Sequence, residues 1–150
     1  MIGRLIGIDH GRKRIGLALS DALGLSAREL TILASEGEKA DFAAIAEIAE
    51  QHAAVGLVVG VPHNPNAPTG LPQQADAVLD WIARLRRAVP LPVAEVGEYL
   101  TSDEARALAK GAKRNPREPI DDLAARIILQ SYLDALSYGS ATFPPPASSS

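Results

Sequence analysis

The sequence predicts a single α/β domain built on a five-stranded mixed sheet, and three observations carry that prediction. Two short apolar runs near the start are separated only by a basic turn, a later run is apolar at every position, and the stretches around it show helical periodicity. The first pattern is an antiparallel hairpin, the second a central strand covered on both faces, and the third supplies the crossover helices that parallel pairing needs.

Taken in order, Leu5-Ile6-Gly7-Ile8-Asp9 forms the first strand and Ile15-Gly16-Leu17-Ala18-Leu19 the second, with Gly11 in the turn between them. A third strand is expected over 29–33. Phe42, Ile45, Ile48 and Ala49 then recur at helical spacing, giving a helix over 39–52, with His52 at its C-terminal end. Val55-Gly56-Leu57-Val58-Val59-Gly60-Val61 is the central strand, stopped by Pro62, and residues 62–70 are dense in turn formers. A helix follows from near Pro72 with the stripe Ala75, Val78, Leu79, Ile82, Leu85 and Val89. A strand over 91–96 leads into Glu98. Thr101 and Glu104 make a capping box for a short helix through Ala109. Residues 111–118 form a basic loop, and Pro119 is expected at the first position of the last helix, whose inner face is Ile120, Leu123, Ala124, Ile127, Ile128 and Ser131. The folded domain is expected over 1–139. The Pro/Ser-rich tail, 140–150, has nothing to bury and is expected to be disordered.

Composition narrows the chemistry. With no cysteine among 150 residues there is no disulfide framework, no thiolate metal site and no cysteine nucleophile. No run approaches the roughly 20 apolar residues of a membrane span, so a cytoplasmic protein without membrane contact is expected. The net charge of −3 is not that of a typical nucleic-acid binder. The basic residues are nonetheless clustered, at Arg12, Lys13 and Arg14, at Arg84, Arg86 and Arg87, and at Lys110, Lys113, Arg114 and Arg117.

Three carboxylates stand where an element begins or ends: Asp9 after the first strand, Glu98 after the last, and Asp121 in the first turn of the final helix. Each has a simple structural explanation alone, as a turn residue, an exposed residue and a helix N-terminal acid. Jointly they would gather at the sheet end where such folds bind ligands, and a divalent cation is the usual reason to tolerate that repulsion. Oxygen ligands alone suit Mg²⁺ or Mn²⁺ rather than Zn²⁺. Two such ions about 4 Å apart can activate a water and stabilise the leaving oxygen of a phosphodiester. His63 lies in the loop beside this place and is a candidate for proton transfer or phosphate contact. His10, next to Asp9, should point to the opposite face by strand alternation.

Four segments resemble a known family. Gly7-Ile8-Asp9-His10-Gly11-Arg12-Lys13-Arg14-Ile15-Gly16-Leu17-Ala18-Leu19-Ser20-Asp21 resembles the opening signature of the YqgF/RuvX family. Val58-Val59-Gly60-Val61-Pro62-His63-Asn64 through Thr69-Gly70 is similar to its second motif, and Glu98-Tyr99-Leu100-Thr101-Ser102 to its third. Asp121-Asp122-Leu123-Ala124-Ala125 with Ile128-Leu129-Gln130-Ser131-Tyr132-Leu133 is similar to its fourth. The resemblance implies a ribonuclease-H-like fold in which Asp9, Glu98 and Asp121 are the metal-binding and catalytic acids. Arg12, Lys13, Arg14, His63, Asn64, Lys113, Arg114 and Arg117 would then contact nucleic acid. Two departures stand out: Gly97-Glu98-Tyr99 replaces the family's usual Asp-Glu-Arg, and Pro65 and Pro68 stand where an Asp-Gly pair is more common.

The expected function is that of a nuclease dependent on Mg²⁺ or Mn²⁺, acting at the 5′ end of the small-subunit ribosomal RNA precursor (pre-16S rRNA) as a monomer or homodimer. One alternative is a Holliday junction resolvase acting on branched DNA, which needs a two-fold dimer to make symmetric cuts. Another is a nucleic-acid-binding module that has lost activity at the altered third motif. An actin-like kinase also begins with an Asp and glycines after a first strand, but it needs a second domain for which 150 residues leave no room.

Overall fold

The computed structural model of the chain describes residues 2–62, 74–98, 107, 110–111, 114 and 118–145, the side chains of 74, 75 and 98 excepted. Five strands, β1 (Arg4–His10), β2 (Arg14–Ser20), β3 (Ala27–Ala34), β4 (Ala54–Pro62) and β5 (Val93–Glu98), form one sheet in the order β3-β2-β1-β4-β5. The first three pair antiparallel, while β4 lies parallel to β1 and β5 parallel to β4. Helices α1 (Glu38–Gln51) and α2 (Gln74–Ala88) make the crossovers, and α3 (Asp121–Ser137) closes the domain. The expected mixed sheet with helices on both faces is the architecture observed.

Strand alternation divides the core in two. Ile6 and Ile8 of β1, Ile15, Leu17 and Leu19 of β2, and Leu57 and Val59 of β4 pack with Phe42 and Ile45 of α1 and Trp81, Ile82 and Leu85 of α2. Leu5, Ala18, Val58 and Ala94 pack with Ala125, Ile128, Leu129, Tyr132 and Leu133 of α3 on the other face. On that second face Gly7 lets α3 lie against the sheet, since a Cβ there would stand 2.6 Å from Leu129 Cβ and 2.8 Å from the Ala125 carbonyl. The β1–β4 register slips between Arg4 and Leu5, and the buried Ser20 hydroxyl accepts the Leu5 amide at 2.8 Å. Ser20→Ala strands that amide, so it should lower stability by about 1–2 kcal/mol in urea denaturation.

Several boundaries differ from those the sequence predicts. β3 runs over eight residues because it pairs with β2 along its whole length, from Ala27 to Ala34. β5 starts at Val93 and reaches Glu98, fixed by its register with β4. The α2 stripe is rotated from the expected one: Trp81 is buried with Val78, Ile82, Leu85 and Val89, and Leu79 is 39% exposed. Asp121 is the first residue of α3, not the third, because the N-cap is Ile120, whose carbonyl accepts the Ala124 amide, and Pro119 precedes it. Ser131 is exposed and Tyr132 takes the inner position.

Beyond α3 the described chain continues to residue 145. Ala141 and Phe143 pack against the α3-side core, and the Tyr132 hydroxyl donates to the Thr142 carbonyl at 2.7 Å. The Pro/Ser-rich composition that suggests disorder here hides one aromatic, the half-buried Phe143. The capping box at Thr101 and Glu104, and residues 146–150, lie outside the described residues. No helix among the described residues is long and apolar enough to cross a membrane.

Candidate active site

Asp9 and Asp121 are brought together by the packing of α3 on the hairpin. Asp9 lies opposite Gly16 in the β1–β2 ladder. A Cβ on Gly16 would overlap the Asp121 carbonyl and stand 2.7 Å from the Asp122 amide, so the first turn of α3 rests directly on that strand. The two acids are more than a hundred residues apart in sequence and meet because the last helix crosses the first hairpin. Burial, and after it the nearby Asp121 charge, together push the Asp9 pKa up from 3.8 to about 6.

Arg14, at the start of β2, partly balances this negative charge. Its Nε donates to Asp121 Oδ2 at 2.9 Å, while the side chain stays 47% exposed and leaves the rest of its guanidinium open to solvent. Arg12 and Lys13, on the turn between the two strands, are exposed on the same end of the sheet.

Arg114 has a different local role. Its two terminal nitrogens donate to the two carboxylate oxygens of Asp122, each at 2.7 Å, and the first also donates to the Pro119 carbonyl at 3.2 Å. Both side chains are largely buried, with 19% and 10% exposure. This planar fork ties residue 114 to the first turn of α3 beside Asp121, and it occupies the guanidinium that the sequence assigned to nucleic acid. Arg114→Met leaves Asp122 buried without its partner, so a stability loss of roughly 2 kcal/mol is expected from thermal unfolding.

Glu98 is the last residue of β5 and pairs with Pro62 at the end of β4. Gly97, one of the departures in the third motif, has no atom within 4 Å of the place a Cβ would take, so packing does not demand glycine there. His63, Asn64, Lys113 and Arg117 lie outside the described residues. Among the described residues no three carboxylate or imidazole groups converge, and the described part of the site is the Asp9 and Asp121 pair.

His10 faces away from the acids, as strand alternation requires. Its ring stacks on Trp81 with centroids 4.2 Å apart and planes 20° from parallel. Burial lowers its pKa, with Asp41 and Glu38 drawing it up and Arg84 down. Two arginines of the central basic cluster are engaged with the fold: Arg84 pairs with Glu38, and Arg86 with Glu95 and the Val93 carbonyl. Sequence reasoning missed Trp81, Gly16 and Asp122. Only Asp122 carried a signal, as a second acid at the start of a helix.

A hairpin leading into two parallel strands, with an acid one residue before the end of β1 and another opening the helix packed beside it, is a ribonuclease-H-like fold. Solved structures share that fold: Thermus thermophilus RuvC in complex with a Holliday junction substrate is 20% identical, with 90% of this chain and 96% of that chain covered and a TM-score of 0.57. The fowlpox virus resolvase in complex with Holliday junction DNA is 11% identical, with 89% and 98% covered and a TM-score of 0.53. The family model described as RuvX, Holliday junction resolvase, matches residues 3–135, and the chain belongs to the RuvX family. Among curated relatives, a protein of Moorella thermoacetica is 42% identical over 136 residues, covering 89% of this chain and 96% of the relative. One of Syntrophus aciditrophicus is 37% identical over 137 residues, covering 89% and 90%. Both bear the assigned name pre-16S rRNA nuclease.

Proposed function

We propose that this protein is a divalent-metal-dependent nuclease that hydrolyses phosphodiester bonds in the precursor of small-subunit ribosomal RNA. The observation that carries this reading is the meeting of Asp9 and Asp121 at one end of the sheet, in a chain of the RuvX family whose relatives are named for that substrate. The donor set suits a hard cation. Two carboxylates, one raised to about 6 by burial and by the other's charge, gain from a dication whose charge offsets both effects.

Asp9 and Asp121 would hold Mg²⁺ or Mn²⁺, with Glu98 at the end of β5 as the third acid. A bound divalent ion supplies activation of the attacking water and stabilisation of the leaving oxygen. The chain's own residues do the rest. Asp9 offers its carboxylate from a rigid strand, Arg14 orients Asp121, and the exposed face of Arg14 with Arg12 and Lys13 takes the substrate's phosphates. His63, Asn64, Lys113 and Arg117 would extend that contact, in a cytoplasmic protein working as a monomer or homodimer.

A second reading, cleavage of a four-way DNA junction, is favoured by the family's description and by the fold shared with two junction-bound resolvases. One experiment separates them. Purified protein is offered a pre-16S 5′ leader, duplex RNA and a four-way DNA junction with Mn²⁺ or Mg²⁺, beside an EDTA control. Metal-dependent cutting of the leader alone is expected; symmetric cutting of the junction would transfer the assignment to DNA. Binding without cleavage of any substrate would replace the nuclease by a binding module.

A further inference from the structure

The end of β1 is restrained unequally. Its pairing with β4 stops at Ile8 and Val59, whereas its pairing with β2 continues through Asp9 with Gly16 and His10 with Ile15. Asp9 and His10 therefore extend past the last rung shared with β4, and the turn at Gly11 follows at once. A carboxylate used for metal binding must be held to within about half an ångström, so a strand end fixed along one edge needs a second support.

That support lies on the opposite face. The His10 ring lies flat on Trp81, which is 2% exposed and is itself tilted against Phe42 with centroids 5.4 Å apart. Residues 9 and 10 share a peptide and project to opposite faces, so rotating the backbone under one side chain rotates the other. We infer that His10, through its stack on Trp81, is a positioning residue for Asp9, fixing the strand end from the face away from the chemistry. The stack works by shape, since a flat ring on a flat ring resists rotation in a way that an aliphatic side chain of similar volume does not. The inference rests on the nuclease reading of Asp9.

The test compares His10→Ala and His10→Phe in the full chain, with thermal unfolding to confirm the fold. Mn²⁺ affinity is read by calorimetry, and kcat and KM on whichever nucleic acid the wild type cuts. His10→Ala is expected to lower kcat and Mn²⁺ affinity each on the order of 10-fold, the scale of lost support around a metal ligand, with KM nearly unchanged. His10→Phe should restore both to near wild-type values, because it keeps the stack and discards the imidazole. If His10→Ala does not fold, His10→Leu, which fills the space without a ring, replaces it with the same expected losses.

Unchanged kcat and Mn²⁺ affinity in a folded Ala or Leu variant would overturn the inference, as would a folded Phe variant that fails to restore them. A wild type that binds Mn²⁺ yet cuts nothing sinks the nuclease reading and leaves the calorimetric comparison to decide positioning by itself. A wild type that neither cuts nor binds Mn²⁺ overturns both.

Discussion

Replacing Gly16 by Ala should lower stability by about 3 kcal/mol, the upper range for forcing extra atoms into a packed site. The reason is the identity of the neighbour. A Cβ there meets the Asp121 carbonyl and the Asp122 amide, both backbone, so no side chain can swing aside. Relief requires the first turn of α3 to lift from the hairpin, which moves Asp121 away from Asp9 and strains the Arg114 fork on Asp122. The loss of stability, read from urea denaturation, should therefore be accompanied by a loss of Mn²⁺ affinity. Gly97→Ala is the matched control: the added methyl meets nothing, and a change within about 0.5 kcal/mol is expected.

Asp9→Asn should abolish cleavage while leaving the protein at least as stable. Loss of a group that stabilises developing charge costs on the order of 10³-fold in rate, and nucleic-acid binding, carried by the basic turn, should persist. The stability effect has a definite sign. A carboxylic acid whose folded pKa is raised from 3.8 to about 6 stabilises the fold below pH 4, where it is protonated in both states. That contribution is lost as pH rises through about 6, because the unfolded state ionises first. In EDTA the wild type should therefore lose up to about 3 kcal/mol between pH 4 and 7.5 relative to the Asn variant, at about 1.4 kcal/mol per pKa unit. Adding Mn²⁺ at pH 7.5 should narrow the difference, because the cation favours the ionised form. A wild type and variant with parallel stability profiles in EDTA would contradict the burial of Asp9.

How much of this was legible in the sequence depends on the distance over which each feature is fixed. The hairpin, the central strand and the α1 helix are set by local periodicity, and their observed spans agree with the reading to within a residue or two. Asp9 was legible as a strand-ending acid, and His10 as its opposite-facing neighbour, because both follow from alternation along one strand. Trp81 was not, since a wide apolar face on α2 admits more than one stripe, and only the sheet beneath it selects Trp81 over Leu79. The Arg14 bond to Asp121 joins residues 107 positions apart, which no spacing rule can show. Arg114 looked like one of several loop cations, and its fork on Asp122 depends on how the chain enters α3. Phe143 was hidden by the prolines after it, although it is half-buried against the α3-side core.

The central claim is that Asp9 and Asp121 form a divalent-cation site. Anomalous diffraction from crystals soaked in Mn²⁺ tests it most directly. A peak within coordination distance of both carboxylates, at about 2.2 Å as oxygen ligands to such ions require, is the expected result. Crystals of the Asp9→Asn variant should lack it. A wild-type map without a peak at that sheet end, under conditions in which the protein cuts nucleic acid, would contradict the assignment of these acids to catalysis.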